Sequence, residues 1–315
     1  MTQLDFFDKN ILSPSESRNK FNYSYSRFET FDSCERKYYY SYYGSKKTKA
    51  LDEPLKEELI ELSELANRHL IIGDILHSVI SWFLKTAKKG DLKEYSQIEN
   101  FAIRRLNNVL DNTMFFKSDG IKKESEFPLP IIKELLYDYY NYLSLKNELE
   151  EAIRKNLNNF FNSAKFEDLR NGALTDSAII EGRSNFNLGN IKVIGKIDLA
   201  FEKNGLLTIN DWKTGKSHFE ETSLQLLIYA LWARSKNEFQ DKEIIIQKSY
   251  LAEDEIDVLK YSESQLYRTK AKIRQQVELL KEMEEFGNQA IESAFPVRKH
   301  EKKCRICPFE KICYR

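Results

Sequence analysis

Val193-Ile194-Gly195-Lys196-Ile197-Asp198-Leu199-Ala200-Phe201, the pair Asn204-Gly205, and Leu206-Leu207-Thr208-Ile209-Asn210-Asp211-Trp212-Lys213 make up the stretch whose reading decides the fold. Apolar residues crowd both halves, and Asn-Gly between them suits two backbone positions of positive φ, so the stretch predicts a β-hairpin. Side chains on a strand alternate faces, so Asp211 and Lys213 point the same way, and hairpin pairing sets Asp198 beside Asp211. Two neighbouring carboxylates repel unless they share a proton or a divalent cation, and hard oxygen ligands suit Mg²⁺ or Mn²⁺. Such an ion polarises a phosphate and helps generate hydroxide, while Lys213 can orient the attacking water or offset charge on the phosphorus oxygens. An Asp-x-Lys triplet in a chain with 31% charged residues also arises as a plain solvated strand end. Its company therefore decides the reading.

Two helices supply that company. Thr222 to Ala233 reads as helical, with Gln225 and Tyr229 four apart on one face and flanked by Leu226, Leu227 and Leu231. Upstream, Gly73-Asp74-Ile75-Leu76-His77 opens a helical run through Trp82 and Leu84 that sets His77 inside an apolar pattern. Gly-x3-His at 73–77, Gly-x-Ile-Asp at 195–198, Asp-x-Lys-Thr-Gly at 211–215 and Gln-x3-Tyr at 225–229, in that order, resemble the RecB-type branch of the PD-(D/E)xK nuclease superfamily. The resemblance implies an α/β fold, α+β-like in character, with a central mixed sheet flanked by helices. It implies a metal-dependent deoxyribonuclease, an exonuclease acting on DNA ends or single strands in repair, recombination or defence. It further implies that His77, Asp198 and Asp211 ligate the metal together with the Trp212 carbonyl, that Lys213 is catalytic, and that Gln225 and Tyr229 contact DNA or brace the site. Glu181 matches an acidic position that is less regular in the family and is a further candidate metal ligand.

The four cysteines are a second signal. Cys304-x2-Cys307-x5-Cys313 lies near the C-terminus and Cys34 stands alone near the N-terminus. Four thiolates complete one ligand set, and spacing alone does not separate zinc from iron. The chain carries no secretory signal pattern, so it reads as cytoplasmic and reducing, which favours metal ligation over disulfides. One upstream cysteine with three clustered after the core is similar to the iron-sulfur staple of the AddB nuclease domain and of CRISPR-associated RecB-like exonucleases. That similarity implies a [4Fe-4S] cluster joining the two ends of the chain, with structural Zn²⁺ as the alternative.

Composition sets limits. The chain has 315 residues, 41% of them hydrophobic, and equal numbers of basic and acidic residues, 49 each. No apolar run reads as long enough to span a bilayer, so a soluble protein is expected. Zero net charge offers no global attraction for nucleic acid, so contacts must come from local basic patches such as Lys46-Lys47 with Lys49, Lys88-Lys89, Arg104-Arg105 and Lys302-Lys303 with Arg305. Arg104-Arg105 reads better as a solvated helix face.

Along the chain, residues 1–22 read as a mobile polar arm, and 23–315 as one nuclease domain. Within that domain a helical insertion occupies about 51–175, the core 176–260, and a C-terminal helix with the cysteine segment 261–315. Expected helices are Arg27 to Tyr43, Leu55 to His69, Gly73 to Lys88, Glu99 to Asn112, Ile131 to Phe161 and Ser262 to Phe286. Expected strands are Ala178 to Leu188, Ile191 to Phe201, Leu206 to Lys213 and Glu243 to Leu251. In the arm, Gln3-Leu4-Asp5-Phe6-Phe7 resembles the short peptide by which bacterial proteins dock on the sliding clamp; a segment packed on the body is the favoured reading. The chain carries no helicase motif, so a separate helicase or a repair or defence complex is the expected supplier of substrate.

Two rivals fare worse. Thr214-Gly215-Lys216-Ser217 follows a strand as a phosphate-binding loop would, but that loop requires glycine at 210, where Asn210 stands, and bulky Trp212 crowds the backbone that must wrap phosphate. A non-catalytic DNA-binding or assembly subunit could keep the fold. Folding alone, however, does not demand that a histidine, two acids and a lysine converge.

Overall fold

Asn204 and Gly205 take φ values of 54° and 79°, so the expected hairpin closes through a two-residue turn of left-handed backbone. The computed structural model describes residues 21–45, 53–120, 129–215 and 223–313. The sliding-clamp-like segment at Gln3 to Phe7, Lys46, Lys47 and Lys49, and Lys216 and Ser217 lie outside the described residues.

In chain order, β1 (Phe21–Tyr23) leads to α1 (Tyr25–Ser33) and α2 (Glu35–Tyr39), which widens into a π-helical turn at Tyr40–Gly44. Next come α3 (Glu53–Leu62), β2 (Leu65–Ala66), α4 (Arg68–Lys88), α5 (Tyr95–Asp119), β3 (Ile131–Ile132), α6 (Lys133–Leu136), α7 (Tyr142–Asn162) and α8 (Glu167–Gly172). The strands β4 (Ile179–Arg183), β5 (Phe186–Leu188), β6 (Ile191–Val193), β7 (Lys196–Lys203) and β8 (Leu206–Lys213) follow. The chain continues through α9 (Leu224–Arg234), β9 (Glu243–Tyr250), β10 (Glu255–Val258), α10 (Glu263–Asn288), α11 (Glu301–Arg305) and α12 (Glu310–Cys313).

The central sheet has the order β10-β9-β8-β7-β4 and is mixed: β8 and β9 run parallel, and every other pair is antiparallel. This is the expected fold class. Along β8, Leu207 and Ile209 pack into a core built with α9 and α10, whereas Trp212 packs into a second core built with α4, α5 and α7. Alternation therefore sends Asp211 toward the α9 side and the Trp212 indole toward the opposite layer.

Several elements differ from expectation. The helix expected over Arg27 to Tyr43 breaks at Cys34, whose extended backbone (φ −168°, ψ 113°) closes α1 and opens α2. The two long strands expected over 178–188 and 191–201 are each split in two. Their outer halves, β5 and β6, join β1 in a separate three-stranded sheet, and the Ser184 N–H donates to the Gly195 carbonyl (2.9 Å) at the break. Residues Phe21 and Asn22, at the end of the expected arm, belong to β1, which pairs in parallel with β6. Fully buried Tyr23 holds that strand down by donating its hydroxyl to Gln276 Oε1 at 2.6 Å. Within the expected helical insertion, β2 and β3 pair over two residues, and the long helix expected from Ile131 begins only at Tyr142.

Contrary to the sequence reading, α4 is long and apolar enough to cross a membrane by length and composition. Its apolar residues, among them Ile71, Ile75, Leu76, Val79 and Leu84, are nevertheless buried inside the fold. The same helix carries His77.

Candidate active site

Each acid reaches the site through sheet register. Leu199 pairs with Asn210, so one step further along the hairpin Asp198 stands opposite Asp211. On the other side of β7, Ile180 pairs with Leu199 and Gly182 with Ile197, which sets Glu181 opposite Asp198. Glu181 has φ 56°, a left-handed backbone that is uncommon for glutamate and costs on the order of 1–3 kcal/mol. Strain of this kind persists only where the surroundings over-determine it. Here it aims the carboxylate at Asp198 and His77.

His77 enters from α4. Its Nδ1 lies 3.3 Å from Asp198 Oδ1 and 4.0 Å from Glu181 Oε1. Its Nε2 lies 3.1 Å from the Trp212 carbonyl oxygen. A carbonyl only accepts, so Nε2 carries a proton and Nδ1 is the atom presented to the acids. The Trp212 N–H donates to Asp198 Oδ2 at 2.8 Å, so the backbone of one residue orients both side chains. Its indole is locked edge-on against Phe160 (5.4 Å) and Phe166 (6.4 Å) in the helical layer. The sequence reading gave the Trp212 carbonyl to the metal; in the structure it accepts from His77.

Asp211 and Lys213 form the neighbouring pair, with Nζ 2.6 Å from Oδ2. Tyr229, from α9, donates its hydroxyl toward Lys196 O (2.8 Å) and Asp211 Oδ1 (3.3 Å), and accepts from Gln225 Nε2 at 2.9 Å. Gln225 Oε1 in turn accepts from Lys213 Nζ at 3.3 Å. The half-buried glutamine thus bridges the lysine and the tyrosine, and both residues read from α9 stand beside Asp211.

The electrostatics are those of crowded carboxylates. Burial raises the pKa of Glu181, and Asp198 raises it further against the pull of Lys196 and His77. Burial and Asp198 likewise hold Asp211 above the ordinary range despite Lys213. Asp198 is the exception: burial acts to raise it, but the His77 imidazolium and the Trp212 N–H outweigh burial and keep it low. Burial disfavours a charged His77, yet Asp198, Asp211 and Glu181 overcome that and push its pKa up to about 9. Asp211 keeps Lys213 an ammonium in the same way. One imidazole nitrogen and two carboxylate oxygens, from His77, Glu181 and Asp198, lie within 4.8 Å of one another. This donor set suits a small divalent cation, whose charge would relieve the crowding that the pKa directions report.

The sequence profile of the PD-(D/E)XK nuclease superfamily matches residues 22–314. The chain belongs to that superfamily. Its members are generally hydrolytic nucleases that use Mg²⁺ or Mn²⁺, and DNA is the substrate class the family implies. Among curated proteins, no sequence match to this chain is found.

Some charged neighbours of the site were not singled out in the sequence. Asp74, one helical turn before His77, pairs with Arg105 at 3.7 Å, so this arginine faces the site's helix and is not a plain solvated side chain. Glu29 on α1 acts electrostatically on Lys213, and Lys196 pairs with Glu181. Lys196 falls inside the Gly-x-Ile-Asp motif and shares a strand face with Asp198. That alternation was the available signal.

The cysteines occupy a second place. Burial raises the Cys313 thiol to about 12, and the neighbouring Cys307, Cys34 and Cys304 add to the rise. Lys133, almost fully buried at the start of α6, donates to Arg305 O (2.7 Å), Cys307 O (2.6 Å) and Glu310 Oε2 (2.7 Å). Arg36 reaches the Phe295 carbonyl at 2.7 Å, and Arg298 donates to Asp32 O at 3.0 Å. These bonds bring Cys34 and the C-terminal segment to the same part of the molecule.

Proposed function

We propose that this chain is a RecB-type nuclease that hydrolyses DNA phosphodiesters at ends or in single strands, with His77, Asp198 and Glu181 holding the divalent cation. The observation that carries the reading is the convergence of those three donors beside the Asp211–Lys213 pair. A divalent cation held there supplies Lewis acidity toward a phosphate oxygen and a lowered pKa for an attacking water. His77 offers Nδ1 because its Nε2–H is committed to the Trp212 carbonyl, and Asp198 offers Oδ1 because its Oδ2 accepts from the N–H of the same residue. Asp211, opposite Asp198 across the hairpin, is the further acid beside these donors. Lys213 places its ammonium where negative charge develops on the phosphate, and Gln225 and Tyr229 hold that lysine and Asp211 in register.

In the same reading Cys34, Cys304, Cys307 and Cys313 hold a [4Fe-4S] cluster that staples the two ends of the chain. That Cys313 feels Cys307, Cys34 and Cys304 as neighbours supports a shared ligand set. Strand separation falls to a separate helicase or a repair or defence complex.

The test is degradation of end-labelled single- and double-stranded DNA with Mg²⁺ or Mn²⁺, comparing wild type with Asp211→Ala and Lys213→Ala. Both variants should lose at least about a hundredfold in rate. Equal rates in all three proteins would reject the assignment.

A further inference from the structure

Three cations that no sequence motif joins are gathered by the fold along one side of the metal donors. Lys196 and Arg183 are directly opposed across β7 and β4, so their side chains leave the same face of the sheet. Lys85 lies two turns beyond His77 on α4, the helix that packs against β4, and is within electrostatic reach of Glu181 and Lys196. All three are exposed. Lys196 pairs with Glu181, the same carboxylate whose Oε1 faces His77 Nδ1. Glu181 therefore has two competing claimants, an ammonium on its solvent side and the metal position on its inner side. The three cations lie at or beside β4, an edge strand of the central sheet, and among the described residues no further strand pairs with it.

We propose that Lys196, Arg183 and Lys85 form a phosphate-binding subsite for the nucleic-acid backbone flanking the bond to be cleaved, and that Glu181 covers this subsite until a divalent cation draws its carboxylate inward. The argument rests on the nuclease reading above. A polyanion approaching a chain of zero net charge needs a local cationic track, and this one adjoins the cleavage chemistry. With Glu181 turned to the metal, Lys196 loses its intramolecular partner and offers its ammonium to a backbone phosphate. Lys196 is then a substrate-binding group whose availability depends on metal occupancy.

The experiment is fluorescence-anisotropy titration of a labelled single-stranded oligonucleotide over a salt series, in Ca²⁺ and in EDTA. It compares wild type, Lys196→Gln, Arg183→Gln and the triple variant that adds Lys85→Gln, with Mn²⁺ affinity measured calorimetrically on each protein. Each removed phosphate contact should flatten the slope of log affinity against log salt by about 0.7, and the triple variant by about 2. The loss should be independent of base sequence and largest in Ca²⁺, while Mn²⁺ affinity holds or rises because Glu181 is freed. An unchanged salt slope in the triple variant overturns the subsite, even if the wild type binds and cleaves DNA as the nuclease reading requires. Weakened Mn²⁺ binding with an unchanged slope also overturns it, since the cations would then act through Glu181 alone. A wild type that neither binds nor cleaves defeats both readings.

Discussion

His77 Nε2 and the Trp212 carbonyl oxygen lie 3.1 Å apart, and this contact decides which nitrogen of the imidazole meets the acids. Nδ1 faces two carboxylates and must hold either a proton or a cation. In the metal-free protein it holds a proton, because its pKa of about 9 exceeds the ordinary 6.5. The sign follows: the stability His77 contributes is fully present below about pH 6.5 and is lost as pH rises through about 9. The melting temperature of the metal-free wild type should fall across that window, and that of His77→Asn should fall less. Because the cation must displace this proton, Mn²⁺ affinity should climb with pH by up to about tenfold per unit and level off above about 9. Parallel melting curves for the two proteins would contradict the assignment.

Trp212 links the core to the site, with its indole among Phe160 and Phe166 and its peptide between His77 and Asp198. Trp212→Ala should cost about 3–5 kcal/mol in urea unfolding and should also weaken Mn²⁺ binding, because the strand that orients both ligands shifts. Trp212→Phe should keep more of each. Lost stability with undiminished Mn²⁺ affinity would break the proposed link.

Gly172, at the end of α8, is pressed against β7: a β-carbon there would come within 2.3 Å of the Phe201 ring. Gly172→Ala should destabilise by about 1–3 kcal/mol, seen as a lower urea midpoint, and leave Mn²⁺ affinity intact. An unchanged midpoint would mean that helix and strand can part without cost.

The buried ammonium of Lys133 bonds two backbone carbonyls of the cysteine segment and Glu310. Lys133→Met leaves those acceptors unmatched and should cost about 3–5 kcal/mol, with trypsin cutting near Lys302 and Lys303 sooner than in wild type. Anaerobically purified wild type should be brown, with iron and sulfide in equal amounts, and Cys34→Ser should bleach it. Colourless protein with stoichiometric zinc would replace the cluster with a zinc staple.

The central hairpin was legible because Asn204-Gly205 is a local signal, and six of the residues gathered at the site, His77, Asp198, Asp211, Lys213, Gln225 and Tyr229, were legible because motif spacing survives any fold. Glu181 was visible as a further candidate ligand from the resemblance; its left-handed backbone, which aims it, lies between Ile180 and Gly182, both paired with β7. The break at Cys34 and the split near Ser184 and Gly195 left no periodic trace, since each chain half keeps its apolar pattern and only the partner strand changes. A three-residue strand such as β1 is too short to carry a pattern at all. Arg105 read as a solvated face because its partner, Asp74, comes from another helix. The same holds for Lys196, Arg183 and Lys85, which are near one another only through sheet register and the docking of α4.

The most direct test of the central claim is anomalous scattering from crystals grown with Mn²⁺. A peak at about 2.0–2.3 Å from His77 Nδ1, Asp198 Oδ1 and a Glu181 oxygen is the predicted result, and it should vanish in Asp198→Ala crystals. A Mn²⁺ peak elsewhere, or none at these three atoms under saturating metal, would contradict the account.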